Sequence, residues 1–222
     1  MFKRFSAILS IVLGMVIFLL GCSKANHDTL AFVGDESDMK TCYEIYPEQY
    51  FPNEISQDLR KGCFPPDIVG EYEMRGHLMD ESFAIYYPTT SVTMPFYQVQ
   101  ETSLYFIVKD QINGMARIKI GVKNNSTEYQ WFDETDAYLY GNVYKDGQKF
   151  MLCYETLEDK ENTPYKVTIG NIITGTIDTD GIKDVDYWYV FKKVTVSNPI
   201  TPYPLEGGFA YYHANLATKK AK

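Results

Sequence analysis

Three histidines, four cysteines and a few clusters of charge are the residues of this chain whose types could do chemistry. His27, His77 and His213 lie far apart and no Cys-x-x-Cys accompanies them, so the spacing of a zinc site is missing. There is no Gly-x-Ser-x-Gly elbow, no His-Glu-x-x-His and no phosphate-cradling loop. Asp178, Asp180, Asp184 and Asp186 bunch around one turn, as calcium ligands do. An EF-hand loop, however, needs glycine at its sixth position, and Gly181 stands fourth with no closing Glu downstream. The run reads as a tight hairpin with solvated acids. Arg117, Lys119 and Lys123 make a basic row that reads as the solvated face of a strand, and His77 sits on the polar face of another. No metal, cofactor or catalytic residue is assigned, and the chain reads as a binder rather than an enzyme. What remains is recognition by aromatics: 19 Tyr and 13 Phe, where each tyrosine pairs an apolar ring with a polar tip. Tyr138, Tyr140 and Tyr144 share one strand face, opposite Ala137, Leu139, Gly141 and Val143. With Tyr72 and Tyr187 they are the candidate ligand-binding residues. If the small-residue face points inward it leaves room for a ligand; if the tyrosines do, they fill the interior or line it with hydroxyls.

The elements that must position these side chains are strands. Residues 41–65 are punctuated by Pro47, Pro52, Pro65 and Pro66, with one short helix over Asn53–Lys61: Asn53 suits the N-cap, Ile55 and Leu59 lie four apart, and Gly62 stops it. From Ile68 the pattern changes to period two. Tyr72, Met74, Gly76 and Leu78 share one face, and Glu73, Arg75 and His77 the other. β-prone runs follow at 83–87, 92–99, 103–109, 116–123, 128–132, 137–145, 149–155, 165–177 and 185–196, with turn signals at Asn113-Gly114, Lys145-Asp146-Gly147-Gln148 and Asp180-Gly181. Pro95 makes the 92–99 run an edge or bent strand. Some eight to ten short strands without a convincing helix between them predict an all-β domain, either an antiparallel up-and-down barrel or a β-sandwich. Residues 197–222, with three prolines and a Lys219-Lys220-Ala221-Lys222 end, read as a loosely packed tail. The chain of 222 residues thus divides into 1–21, 22–40, a single domain at 41–196, and a tail. Its aromatic content excludes wholesale disorder. A net charge of −8 makes the chain a poor candidate for nucleic-acid binding, which needs clustered positive charge.

Residues 1–22 carry an address. Lys3 and Arg4 precede a nearly continuous apolar run from Ala7 to Leu20, 14 residues long. As a helix that is ~21 Å, short of the ~30 Å hydrocarbon core, so it reads as a secretory signal. The sequence Leu19-Leu20-Gly21-Cys22 resembles the lipobox of bacterial lipoproteins. The resemblance implies cleavage after Gly21, diacylglycerol on the Cys22 sulfur, an acylated new N-terminus, and residues 22–40 as a tether. Several acyl chains together anchor stably where one alone binds marginally. Ser23, rather than Asp, follows the cysteine; by the sorting rule the resemblance carries, this favours the outer membrane and leaves its leaflet side open. An envelope location is oxidising, which permits disulfides. Cys42 and Cys63 flank 20 residues, and their bridge would contribute roughly 3 kcal/mol by loop-entropy reasoning. Cys153, in an apolar strand pattern, reads as a buried free thiol.

A short helix, then Ile68-Val69-Gly70-Glu71-Tyr72 opening a first strand, then consecutive hairpins, looks like a lipocalin-type barrel. Lipocalins carry Gly-x-Trp there, its ring closing the barrel floor; Tyr72 stands in place of that Trp. Asp186-Tyr187 echoes a second lipocalin motif, Thr-Asp-Tyr. The last hairpin, Ile173–Ile177 through Gly181 to Val190, is similar to that of lipocalin-like bacterial lipoproteins. The resemblance spans about residues 54–196. It implies a barrel that takes a small apolar or amphipathic ligand. The alternative is an accessory lipoprotein that binds an envelope protein or glycan through exposed aromatics.

Overall fold

A computed structural model describes residues 66–112, 114–123, 127–142, 148–158 and 164–221. The helix expected at 53–61, Cys22, Cys42, Cys63, Tyr144 and the 145–147 turn lie outside the described residues. Twelve strands follow in order: β1 Gly70–Ser82, β2 Ala84–Tyr87, β3 Val92–Pro95, β4 Glu101–Ile112, β5 Met115–Lys123, β6 Gln130–Trp131, β7 Thr135–Asn142, β8 Gln148–Glu158, β9 Tyr165–Asp178, β10 Gly181–Val196, β11 Tyr203–Pro204 and β12 Phe209–Lys219.

Eight of them form a ring. The sheet runs β4-β1-β12-β10-β9-β8-β7-β5-β6, and β4 also pairs with β5, which closes it. Every pairing in the ring is antiparallel and each strand neighbours the next ring strand in sequence, so this is an up-and-down barrel rather than a sandwich. Closure removes the exposed edges that an open sheet would offer. The two-residue β6 occupies the far half of the β5 edge that β7 leaves unpaired. A separate small sheet, β11-β2-β3, sits beside the barrel, with Pro95 on its outer strand, where a missing N–H costs no ladder bond.

The period-two reading of β1 holds: Tyr72, Met74 and Gly76 are buried while Arg75 and His77 are exposed. The principal core is the barrel interior. At the end where β1 begins, it is filled by large side chains, among them Tyr72, Phe106, Ile118, Phe150 and Ile182. Tyr72 stacks on Phe106 with ring centroids 5.0 Å apart, and its hydroxyl donates to the Ile68 carbonyl at 3.0 Å. Burial, reinforced by the Asp67 charge, pushes this phenol up to about 12.

Residues 209–219 overturn the expected tail. They form β12, which pairs with β1 on one side and β10 on the other and is the strand that completes the ring. The domain therefore runs on past 196. Ala210, Tyr212, Ala214 and Ala217 enter the core, and His213 lies on a strand.

A second apolar layer covers the outer face of β8–β10. Met151, Cys153, Ile172, Trp188 and Val190 are buried there, with Tyr138, Tyr140, Phe209 and Tyr211 packed against them. Trp188 stacks on Tyr211 at 4.8 Å. Cys153 is buried as expected, but it is disulfide-bonded and not a free thiol. Spacing within the strand could reveal its burial, whereas a bond depends on what the fold brings across from elsewhere in the chain.

Candidate functional site

The half of the barrel where β1 ends and β12 starts is not filled. A cavity of about 370 Å³ occupies it, bordered by barrel strands and by Phe83, Ala84, Ile85, Phe96 and Pro204 from the small sheet and its flanks. Its depth is set by a change in side-chain size along the strands. Inward positions that hold Phe106, Phe150 and Ile173 toward the filled end become Thr102, Val122, Thr156 and Asn171 here. Phe96, both lining and 46% exposed, places part of the wall at the surface.

The walls are apolar rings with hydroxyls and amides between them. β10 sends Tyr187, Tyr189 and Phe191 inward, and Phe83 packs on Phe191 and Tyr189 at 4.8 and 5.7 Å. Tyr187 Oη donates to Asn171 Oδ1 at 3.0 Å. The Asn171 amide in turn donates to Thr156 Oγ1 at 3.2 Å and to the Ile169 carbonyl at 3.1 Å. Tyr189 donates to Gln98 Oε1 at 2.7 Å and Tyr212 to the Val99 carbonyl at 3.2 Å, which ties the 96–100 segment to the barrel. Tyr154 is different. Its hydroxyl is buried and no hydrogen bond of ordinary geometry reaches it, although Tyr187 lies alongside. Burial holds Tyr154 and Tyr189 well above the usual phenol range and, with the Glu81 charge, brings Tyr212 to about 12. These hydroxyls therefore stay protonated and neutral, available as donors at any physiological pH.

Among the four described tyrosines of the five expected from sequence, only Tyr187 lines this cavity. Tyr72 belongs to the filled end. Tyr138 and Tyr140 point outward into the second apolar layer, while Ala137 and Leu139 face inward. Tyr144 lies outside the described residues. Missed were Tyr154, Tyr189, Tyr212, Asn171 and Gln98. The alternating row Val185, Tyr187, Tyr189, Phe191 was the available signal for part of that set.

Asp178, Asp186, Arg117, Lys119 and Lys123, named above for their charge, are engaged away from the cavity. Asp178 pairs with Lys183, and Asp186 accepts from His213 Nδ1 at 2.8 Å and from Tyr211 at 2.9 Å. Arg117 pairs with Asp136 at 3.4 Å. Lys119 and Lys123 lie over the rings of Trp131 and Tyr129, 5.3 and 4.9 Å from their centroids. Those rings join Tyr105 in an outer aromatic cluster at 5.5–5.9 Å. There, Tyr105 and Tyr129 donate to Glu71 and Glu73 at 2.6 Å. No protein-family model, no curated protein and no solved structure matches this chain.

Proposed function

We propose that this chain is a lipid-anchored lipoprotein of the bacterial outer membrane, held by acyl chains on Cys22, and that it is a binding protein rather than an enzyme. Its lipocalin-like barrel takes one small apolar or amphipathic molecule. The observation that carries this reading is the cavity of about 370 Å³ inside the barrel, walled by aromatic rings with a few polar groups between them. Ligand pockets combine that size range with a mostly apolar wall and a small number of placed polar groups.

The accessory reading, a protein or glycan held by exposed aromatics, has the cluster of Tyr105, Tyr129 and Trp131 in its favour. That cluster is largely self-satisfied. Both phenols are committed to carboxylates, both flanking lysines sit over its rings, and Trp131 lies against Gly121. It offers a partner fewer open groups than the cavity offers a ligand.

Native mass spectrometry on the chain from Ser23 onward, purified from its own host, tests the proposal. A reproducible added mass, lost on denaturation, is the expected result. A bare mass in repeated preparations overturns the ligand reading and moves the assignment to the accessory one.

A further inference from the structure

Resting on the cavity reading above, we infer that the barrel selects an uncharged amphiphile and rejects an anionic one, and that the Tyr154 hydroxyl is the group that receives the ligand's polar end.

Two observations lead there. The first is the charge of the lining. Among the described residues that border the cavity no Lys, Arg or His occurs, and the one ionisable carboxyl is Glu158. A second carboxylate acts on the wall: Glu81 accepts the Gln98 backbone N–H at 2.6 Å, and its charge acts on Tyr189 and Tyr212. A carboxylate, sulfate or phosphate drawn into this space would lose its water, meet no counter-charge among the described lining residues and feel two carboxylates. Lys192, the nearby β10 cation, is paired with Glu155 at 2.6 Å and is not part of the lining. A neutral head group escapes all of these costs.

The second observation is the orphaned hydroxyl. Tyr154 is 1% exposed, lines the cavity and makes no hydrogen bond of ordinary geometry, while the amide and hydroxyls around Asn171 satisfy one another. Buried polar groups are almost always paired; this hydroxyl, on a residue of the cavity wall but itself closed to water, completes its bond when a bound molecule displaces the ring beside it. The volume equals roughly a dozen waters at ~30 Å³ each. That suits a single chain or one or two rings with a hydroxyl or carbonyl, not a two-chain lipid.

A matched pair of dyes tests the charge rule on residues 23–222, exported to an oxidising compartment behind a cleavable secretory signal and so lacking Cys22 and its acyl anchor. N-phenyl-1-naphthylamine is neutral; 8-anilino-1-naphthalenesulfonate is a closely related naphthylamine bearing a sulfonate. At pH 8 the neutral dye is expected to bind saturably at one site, at least tenfold tighter than the sulfonate. 1-Decanol should displace it and decanoate should not. Equal or tighter binding of the sulfonate, or displacement by decanoate, overturns the charge rule while leaving an occupied cavity. Failure of both dyes and of decanol instead overturns the cavity reading itself. Tyr154→Phe, which keeps the ring and the packing, should weaken decanol three- to tenfold with the neutral dye's affinity unchanged. Unchanged decanol affinity removes Tyr154 from the site. Val122→Trp, which fills the cavity, should abolish dye binding; dye retained at full affinity places the binding on the surface and overturns the inference.

Discussion

His213 and Asp186 face each other across β12 and β10 on the outer side of the barrel, and their 2.8 Å contact makes stability depend on pH. The hydrogen bond to Asp186 raises the His213 pKa above its ordinary value, with smaller help from Asn215 and the Asp184 charge. A base whose folded pKa is raised stabilises the fold fully below its unfolded value of about 6.5 and loses that contribution as pH rises through the folded value. The thermal midpoint should therefore fall by about 1–3 °C from pH 6 to pH 9, the scale of a partly exposed pair in a domain of this size. His213→Gln should flatten that part of the profile. A slope that survives the substitution assigns the effect elsewhere. At this scale the sequence was a poor guide. Four aspartates near a turn look alike in a row of letters, yet Asp178 serves Lys183 while Asp186 serves a strand that lies 25 residues or more downstream. Which carboxylate meets which base is decided by cross-strand register.

The elements themselves were more legible, because strands and turns are local. The strand signals opened by Gly70, Ala116 and Tyr165 all appear, and the turns at Gly114 and Gly181 separate the expected strands. These two glycines differ in what they do. Gly114 has φ +85°, and an added Cβ would meet the Leu139 carbonyl oxygen at 3.6 Å, an ordinary contact, so the turn has room for a side chain. Gly181 has φ +149°, and an added Cβ would lie 2.1 Å from the Ala217 carbonyl oxygen, because the β9–β10 turn is pressed against β12. Gly181→Ala should cost about 2–4 kcal/mol through backbone strain and a clash with main chain that cannot step aside. Gly114→Asn should cost less than about 1 kcal/mol, since Asn enters the left-handed region readily. Urea midpoints with unchanged m-values would check both; equal losses at the two sites would refute the distinction. β12 escaped detection for an equally physical reason. Ala210, Tyr212 and Ala214 face in while Phe209, Tyr211 and His213 face out, so both faces carry aromatics and the alternation that marks a half-buried strand is blurred.

For the whole molecule, Cys153 sets a constraint on the other cysteines. It is disulfide-bonded, and the chain's remaining cysteines are Cys22, Cys42 and Cys63. A Cys22 sulfur carrying diacylglycerol cannot form a disulfide. If the anchor is as proposed, non-reducing peptide mapping of the mature protein should join the Cys153 peptide to Cys42 or Cys63, and no intramolecular Cys42–Cys63 bridge should be present in the same molecules. Recovery of that bridge together with an acylated Cys22 would refute the arrangement.

Taken alone, the amino-acid sequence determined that the described domain is built of antiparallel strands, where several of its turns fall, and that Tyr72 and Met74 share one face of β1. Each of these follows from alternation and turn chemistry within a dozen residues. Only the tertiary structure decided that the sheet closes, that β12 closes it between β1 and β10, and therefore which face of each strand looks inward. A single-residue slip in register exchanges the two faces of a strand. On β7, closure put Ala137 and Leu139 inside and Tyr138 and Tyr140 outside. The cavity is a product of the same long-range step. It exists because small and polar residues from four separate strands, Thr102, Val122, Thr156 and Asn171, meet at one end of a ring whose first and last strands are more than a hundred residues apart.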